Sequence, residues 1–420
     1  MKTGDMGACI TTDWHFGVVL LYRNICLAML LSISQITHAA PEIKVGAVFD
    51  QTGGISIYGI QQSKAIHLAV DNINRKGGLL GRKLKLIEYD SQSNLDKYAQ
   101  YTKTLILRDR ISVLFAGLTS SSREVIRPII RKYKTLYFYG CHYEGGACDK
   151  YTFVTGVSAS QQMRVLIPWA IRKFGPKLYI MGPDYNFGTI SGVWVNYYAK
   201  RYGGQVLGEE YLPLTMTDYS PTIERIKAAK PDFVFTLPVG PKQNQFLEQF
   251  SASGLKQKIG MVSTNYGSGN QQIAVSPGAG ENIVSSLEYF HWAEETGNDE
   301  LKKLWREHFG LDEPIIAPAV NVWNAVHLWA EAVRKTGSID TDEVIATLER
   351  GLSYNAPNGQ VTLRPRSHHL RQNMYIARGN RRSGFDIIEV HKGVDPFFED
   401  AACDLIERPE TAEHFTPEGY

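Results

Sequence analysis

Long apolar runs are scarce in this chain, and none reaches the roughly eighteen residues that a membrane-spanning helix needs. A polytopic membrane protein is therefore excluded. Charge of one sign is lacking too: 45 Lys and Arg stand against 43 Asp and Glu, a formal net charge of +2. No basic field dominates, so nucleic acid is not an expected partner. Cysteine is sparse, 5 in 420 residues, which excludes a disulfide-dense miniprotein. Low-complexity segments and short repeats are missing. With 43% hydrophobic and 21% charged residues, the composition is that of a folded globular chain, not a disordered or collagen-like one. At roughly 150 residues per domain, the length predicts two to three domains or one bilobed unit.

What is present begins with a short apolar run, Ile25–Ile33 (ICLAMLLSI), preceded by Arg23 and followed by Thr37-His38-Ala39. A basic flank, a short apolar core and a small-x-small cut predict a secretory signal over residues 1–39 and export to an oxidising compartment. Cys26 sits inside the apolar core, not at the cut, so no lipid anchor is read there. Cys9 and Cys26 leave with the signal. Cys141, Cys148 and Cys403 remain, an odd set that predicts one disulfide and one cysteine left over. Cys148 with Cys403 ties the C-terminal tail to the body and closes a long loop. Cys141 with Cys148 is the local alternative, and three buried thiols the remaining one.

From residue 43 strands and helices alternate. Ile43–Phe49, Leu84–Tyr89, Val113–Gly117 and Leu136–Tyr139 read as strands; Gln61–Asn74, Lys97–Leu107 and Ser121–Lys132 read as helices. This alternation predicts βαβ units around a parallel sheet. The pattern restarts with strands Leu178–Met181, Val206–Tyr211, Phe233–Leu237 and Gly260–Ser263, separated by helices Gly192–Tyr202, Tyr219–Ala229 and Gln243–Ala252. Helix Gln161–Lys173 precedes this second set. A single layer of about ten parallel strands is large, so two sheets are expected. The last third reads as a strand Ile283–Phe290, helices Asp299–His308, Ala317–Arg334 and Thr341–Glu349, and an antiparallel ribbon of Gln360–Leu363, Asn373–Arg378 and Phe385–His391. Residues after about 394 are acidic and look like a surface tail.

Enzyme signatures are missing one after another: no GxxxxGK[ST], no GxSxG, no HExxH and no CxxC. Gly77-Gly78-Leu79-Leu80-Gly81 follows a helix and precedes a strand, the reverse of a phosphate-cradling loop, so it reads as a tight turn. His368-His369 on a regular strand would point to opposite faces and would not share one metal. The chain is read as no enzyme, with no cofactor and no metal. The candidate ligand-binding residues stand at the C-terminal ends of the predicted parallel strands, where open α/β sheets bind ligands. Thr119 and Ser120 open a helix in a Thr-Ser-Ser-Ser run whose hydroxyls and free N–H groups suit a carbonyl or carboxylate oxygen, or else form a plain cap. Tyr139 ends the next strand. Asp184-Tyr185 follows another, Tyr185 offering a flat wall and one hydroxyl, Asp184 a carboxylate or a cap. Thr236 ends a third, and Thr264-Asn265 follows a fourth.

The segments IKVGAVFDQTG, NRKGGLLGRKL, GLTSSSREVIRP, YFYGCHYEGG, MGPDYNFG, GGQVLGEEYLPL, IKAAKPDFVF and LWAEAVRKTGSID resemble the type I periplasmic solute-binding proteins of ABC importers. Within them the chain is most similar to the urea and short-chain amide branch, related to the leucine/isoleucine/valine binders. The resemblance runs from about 43 to 395. It implies an α/β fold of two doubly wound parallel-sheet lobes joined by a three-crossover hinge, with the ligand held between lobes that close on it. The expected division is an N-terminal lobe of 42–156 and 289–353, a C-terminal lobe of 157–288 and 354–395, and a tail of 396–420. It also implies ligand contacts at Ser120, Tyr139, Tyr185 and Thr264, and a periplasmic protein handing its solute to membrane permease subunits. Two departures alter the pocket wall: Gly140-Cys141-His142 where the branch usually has Pro, and Leu118 where it often has an aromatic residue.

An α-amino acid brings an ammonium group that needs a carboxylate in a closed cleft. In the amino-acid binders that acid commonly sits in a loop which here reads Thr264-Asn265-Tyr266 and is neutral. The expected ligand is therefore urea, a short-chain amide or a similar small polar solute, with Asp184 and Glu144 the nearby acids. In that expectation Ser120 anchors the carbonyl or carboxylate end, Tyr139 and Tyr185 sandwich the ligand, and Thr264 and Asn265 hydrogen-bond to it. A branched-chain or other amino-acid binder of the same fold, or an amide sensor, is the alternative.

Overall fold

Apolar residues buried on both faces set the strands of the first sheet, as a parallel sheet with helices on two sides requires. In β1 (Ile43–Phe49), Val45, Ala47, Val48 and Phe49 are all buried. The chain alternates through α1 (Ser56–Arg75), β2 (Leu84–Asp90), α2 (Leu95–Thr104), β3 (Val113–Ala116), α3 (Ser120–Lys132) and β4 (Tyr137–Tyr139), followed by β5 (Ala147–Asp149) and β6 (Thr152–Val154). The computed structural model describes Met1 and residues 41–310 and 313–417; the expected signal, Met1 apart, lies outside the described residues. The first sheet has the order β2-β1-β3-β4-β6, all parallel. α1 buries Ala65, Leu68, Ala69 and Ile73, the face its 3.6-residue period defines.

A second set follows: α4 (Ala159–Phe174), β7 (Lys177–Pro183), α5 (Asn186–Arg201), β8 (Gln205–Leu212), α6 (Ser220–Ala229), β9 (Phe233–Thr236), α7 (Gly240–Ala252), β10 (Gly260–Ser263), the one-turn helices α8 (Gln271–Ala274) and α9 (Pro277–Gly280), and β11 (Val284–Leu287). The chain then goes back: α10 (Thr296–Phe309), α11 (Ala317–Thr336) and α12 (Thr341–Leu348) follow, with α11 packed on α1 of the first lobe. It returns once more as β12 (Ser353–Ala356), β13 (Gly359–Leu363), β14 (Leu370–Gly379) and β15 (Phe385–Val394), and ends in α13 (Phe397–Ala402) and β16 (Ala412–His414). The second sheet runs β12-β13-β14-β11-β10-β9-β7-β8, with β15 on β14. Its β8-β7-β9-β10-β11 part is parallel; β14 pairs antiparallel with β11, so the final ribbon extends this lobe's sheet. The result is an α/β fold of two lobes, and the chain crosses between them three times, after β6, after β11 and after α12.

Polar side chains on α11 tie these crossings together. Asn321 donates to the buried Glu288 carboxylate at 2.6 Å, and its carbonyl accepts from Thr155 at 2.9 Å. Asn324 donates to Asn358, which donates on to Gln372. Burial pushes the Glu288 carboxyl above its ordinary value.

Several expectations are corrected. Helices start earlier than their apolar period suggests: α1 at Ser56, not Gln61, and α5 at Asn186, not Gly192. Gly188 and Gly192 both lie in α5, where Pro183 and Tyr211 approach too closely for any Cβ. β5 and β6, three residues each, are too short to show a period. The last residues are no surface tail. Phe398 packs on Trp194 with ring centroids 4.9 Å apart, β16 pairs with β5, and Cys403 is bonded to Cys148 with Cα atoms 5.6 Å apart. Cys141 is the free, buried cysteine among the described residues. His368-His369 precedes β14 and is not in a regular strand: His368 has a left-handed φ of 58°, stacks on Phe153 and bonds Glu349, while His369 bonds Tyr143. No described helix is long and apolar enough to cross a membrane.

Candidate functional site

The turn from β3 into α3 makes one wall of the site. Gly117 takes φ +83°, a left-handed conformation, and its N–H reaches Val48 of β1. Thr119 is the N-cap of α3, its Oγ1 accepting from the Ser122 N–H at 3.1 Å. One lone pair is used, and the hydroxyl proton is left to donate. The N–H groups of Ser120 and Ser121 lie in the first turn, where no intrahelical acceptor exists, at the positive end of a thirteen-residue helix. This corner offers donors to an oxygen.

Behind it lies a buried ionic cluster. Ser120 Oγ donates to Glu144, which also receives Arg123 Nη2 at 2.8 Å and Asn186 Nδ2 at 3.2 Å and lies 3.3 Å from His414 Nε2. Arg123 and Glu144 are both fully buried. Burial alone would lower the Arg123 value, but the Glu144 and Glu124 carboxylates hold it well above the ordinary one. The guanidinium lies over the rings of Tyr143 and Tyr139, at 4.4 and 5.2 Å. Glu144 is thus a paired, committed acid rather than one open to a ligand's cation.

The opposite wall joins the two lobes. His142, after β4, places Nε2 2.6 Å from Asn265 Oδ1, after β10. Asn265 Oδ1 also accepts from Ser268, and its amide donates to the Pro238 carbonyl. Burial lowers the His142 value to about 4. The imidazole is neutral at pH 7, carries its proton on Nε2 for Asn265, and presents Nδ1 to the Cys141 sulfur 3.9 Å away. Burial raises the Cys141 thiol, pushes the Tyr58 phenol to about 12 and holds the Tyr185 phenol well above its ordinary value.

Between these walls is a cavity of about 30 Å³. Thr119, Ser120, Tyr185 and Asn265, all expected from sequence, line it together. Leu118, Cys141 and His142, the departures from the branch pattern, line it as well, with Tyr58, Phe187 and Val239. No ionised side chain faces this space at pH 7. Thr119, Tyr185 and Val239 also line a neighbouring outer compartment of about 570 Å³ that touches both lobes; Asp184 lines that outer part.

Three expected residues stand behind the lining. Tyr139 is fully buried, its hydroxyl donating to the Leu118 carbonyl at 2.5 Å and its ring covered by Arg123, so it braces the β3–α3 turn and does not face Tyr185 across a ligand. Thr236 is buried at the end of β9, its hydroxyl without a hydrogen-bond partner. Thr264 is buried, its carbonyl taken by Gln162 at 2.9 Å. Asp184 caps nothing: the N-cap of α5 is Tyr185, which makes no side-chain cap bond. Tyr58, Phe187 and Val239 were missed because each sits at the start of a helix placed too late by its period. The signal that finds them is position, the first turn after a strand's C-terminal end. Among the described residues no group of three or more His, Cys, Asp or Glu is arranged to hold a metal ion.

Residues 42–384 match the family model described as periplasmic binding protein. "Leu/Ile/Val-binding protein homolog 6" of Brucella abortus (strain 2308) is 29% identical over 178 residues, 41% of this chain and 45% of that relative, so the match spans under half of it. "Leu/Ile/Val-binding protein homolog 4" of the same organism is 22% identical over 400 residues, 90% of this chain and 94% of the relative. Among solved structures, a solute binding protein of an ABC transporter from Rhodopseudomonas palustris BisB5, in complex with 3,4-dihydroxy benzoic acid, superposes with a TM-score of 0.75 at 23% identity, covering 84% of this chain and 98% of its own. That likeness is one of fold.

Proposed function

The chain belongs to the periplasmic binding protein family, and from that premise we propose that it is the substrate-binding component of an ABC importer. In this reading it works in the periplasm, closes its two lobes on urea, a short-chain amide or a similarly small polar solute, and passes it to membrane permease subunits. It alters no bond of the solute.

The observation that carries the reading is the absence of an ionised side chain from the inner lining. An ammonium group drawn into this space would meet neutral His142, Asn265, Ser120 and tyrosine hydroxyls. The adjacent acid, Glu144, is already neutralised by Arg123 at 2.8 Å. Desolvating a cation without a free counter-charge is costly. An amide has no such demand. Its carbonyl oxygen suits the Thr119 hydroxyl and the first N–H groups of α3, and its N–H groups suit Ser120 Oγ, whose own proton is given to Glu144.

A second reading, a branched-chain amino-acid binder, is favoured by the names of the relatives and by Asp184 in the outer compartment. A thermal-shift screen with urea, acetamide and leucine separates the two, since a ligand bound only by the native state raises the melting temperature. Stabilisation by acetamide or urea is expected; stabilisation by leucine alone overturns the amide reading.

A further inference from the structure

The inner cavity and the space outside it differ in size and in character. The inner part, about 30 Å³, holds about two water-sized groups. That is room for the head of a solute but not for a body. The outer compartment, about 570 Å³, adjoins it: Thr119, Tyr185 and Val239 line both.

The outer walls are chiefly apolar. Ile55 and Leu95 contribute from the first lobe, Leu214 and Pro241 from the second. Leu95 is 43% exposed and Leu214 37% exposed, two large apolar side chains on opposite lobes lining one space. A site for urea alone gains nothing from such walls. A solute with hydrocarbon beyond its head group gains by covering them. Of the charged residues in this lining, Asp50 is buried and tied to Tyr98 at 2.5 Å and Ser91 at 2.7 Å, while Asp184 and Lys242 stand on the second-lobe side.

We propose that the solute is an amide with an apolar body, its head in the inner cavity at Thr119 and Ser120 and its alkyl or aryl part in the outer compartment between Leu95 and Leu214. This rests on the amide reading of the head-group site and narrows it away from urea. The contact of the body with both leucines makes it a bridge between the lobes, so the apolar part also contributes to closure.

The test is calorimetric titration of the full chain with acetamide, butanamide, hexanamide and benzamide, beside leucine. Affinity is expected to rise two- to fourfold per methylene, since a buried methylene is worth about a fourfold change, and benzamide to bind more tightly than acetamide. Leu214→Ser, at a half-open loop position, is expected to cut the hexanamide-to-acetamide affinity ratio at least fivefold. Leu95→Ser serves as an independent second variant should Leu214→Ser fold poorly. Affinity that is flat or falls beyond acetamide overturns this inference and leaves the amide reading standing. Binding of leucine with no amide bound overturns the amide reading, and the inference with it.

Discussion

Single side chains decide what this cleft tolerates. Tyr185 forms part of the wall shared by both compartments, so Tyr185→Ala is expected to weaken solute binding more than tenfold while the far-ultraviolet circular dichroism stays unchanged; unchanged affinity by calorimetry removes Tyr185 from the site. Glu399 supplies a pH signature. Burial pushes its carboxyl from 4.5 up to about 7, with the Ser158 and Ser160 hydroxyls donating to it. Between about pH 4.5 and 7 the native state keeps a proton that the unfolded chain has lost, so stability falls as pH rises through that window, by roughly 3 kcal/mol at most. Glu399→Gln is expected to flatten the slope, read as urea midpoint against pH; an unaltered slope excludes Glu399 as its source. His142 acts with the opposite sign, its depressed value making the native state bind fewer protons than the unfolded chain between about 6.5 and 4. Much of the lining was legible because hydroxyls after a strand announce a helix N-terminus, as Thr119 and Ser120 do. Tyr139 was misread because sequence locates a residue at a strand end without saying which neighbour takes its hydroxyl.

Elements place those side chains, and α3 does the most. Its first turn presents donors to the cavity and its second turn sends Arg123 back to neutralise Glu144. Thr119→Ala removes both the cap and a cavity hydroxyl. It is expected to cost about 1 kcal/mol of stability by chemical denaturation and to weaken solute binding, with Thr119→Ser restoring both; equal behaviour of the two variants contradicts the cap-and-donor role. Strand identity was readable from apolar density in β1, β3 and β9, which are buried on both faces. Helix starts were not, because Ser56–Ile60 and Asn186–Ser191 lie outside the apolar stripe that periodicity detects and are held by close backbone approaches such as Gly59 against Asp50 and Gly188 against Pro183.

The described residues from Glu42 onward form two lobes that share a C-terminal strap. Cys403 is bonded to Cys148, β16 pairs with β5, α13 packs on Trp194 of the second lobe, and His414 reaches Glu144 behind the cavity. Acidic composition hid this strap, since the Phe397-Phe398 pair and a single cysteine carry its attachment. Cys403→Ser is expected to lower stability by about 2–4 kcal/mol, because the bond closes a 255-residue separation; a reduced wild type as stable as the oxidised one contradicts a load carried by the strap. The central claim, that two lobes close on a solute lacking an ammonium group, is tested most directly by mass spectrometry of whatever the protein retains when purified from periplasm without dialysis and then denatured. The account predicts an amide or urea-like molecule with no basic amine; release of an α-amino acid contradicts it.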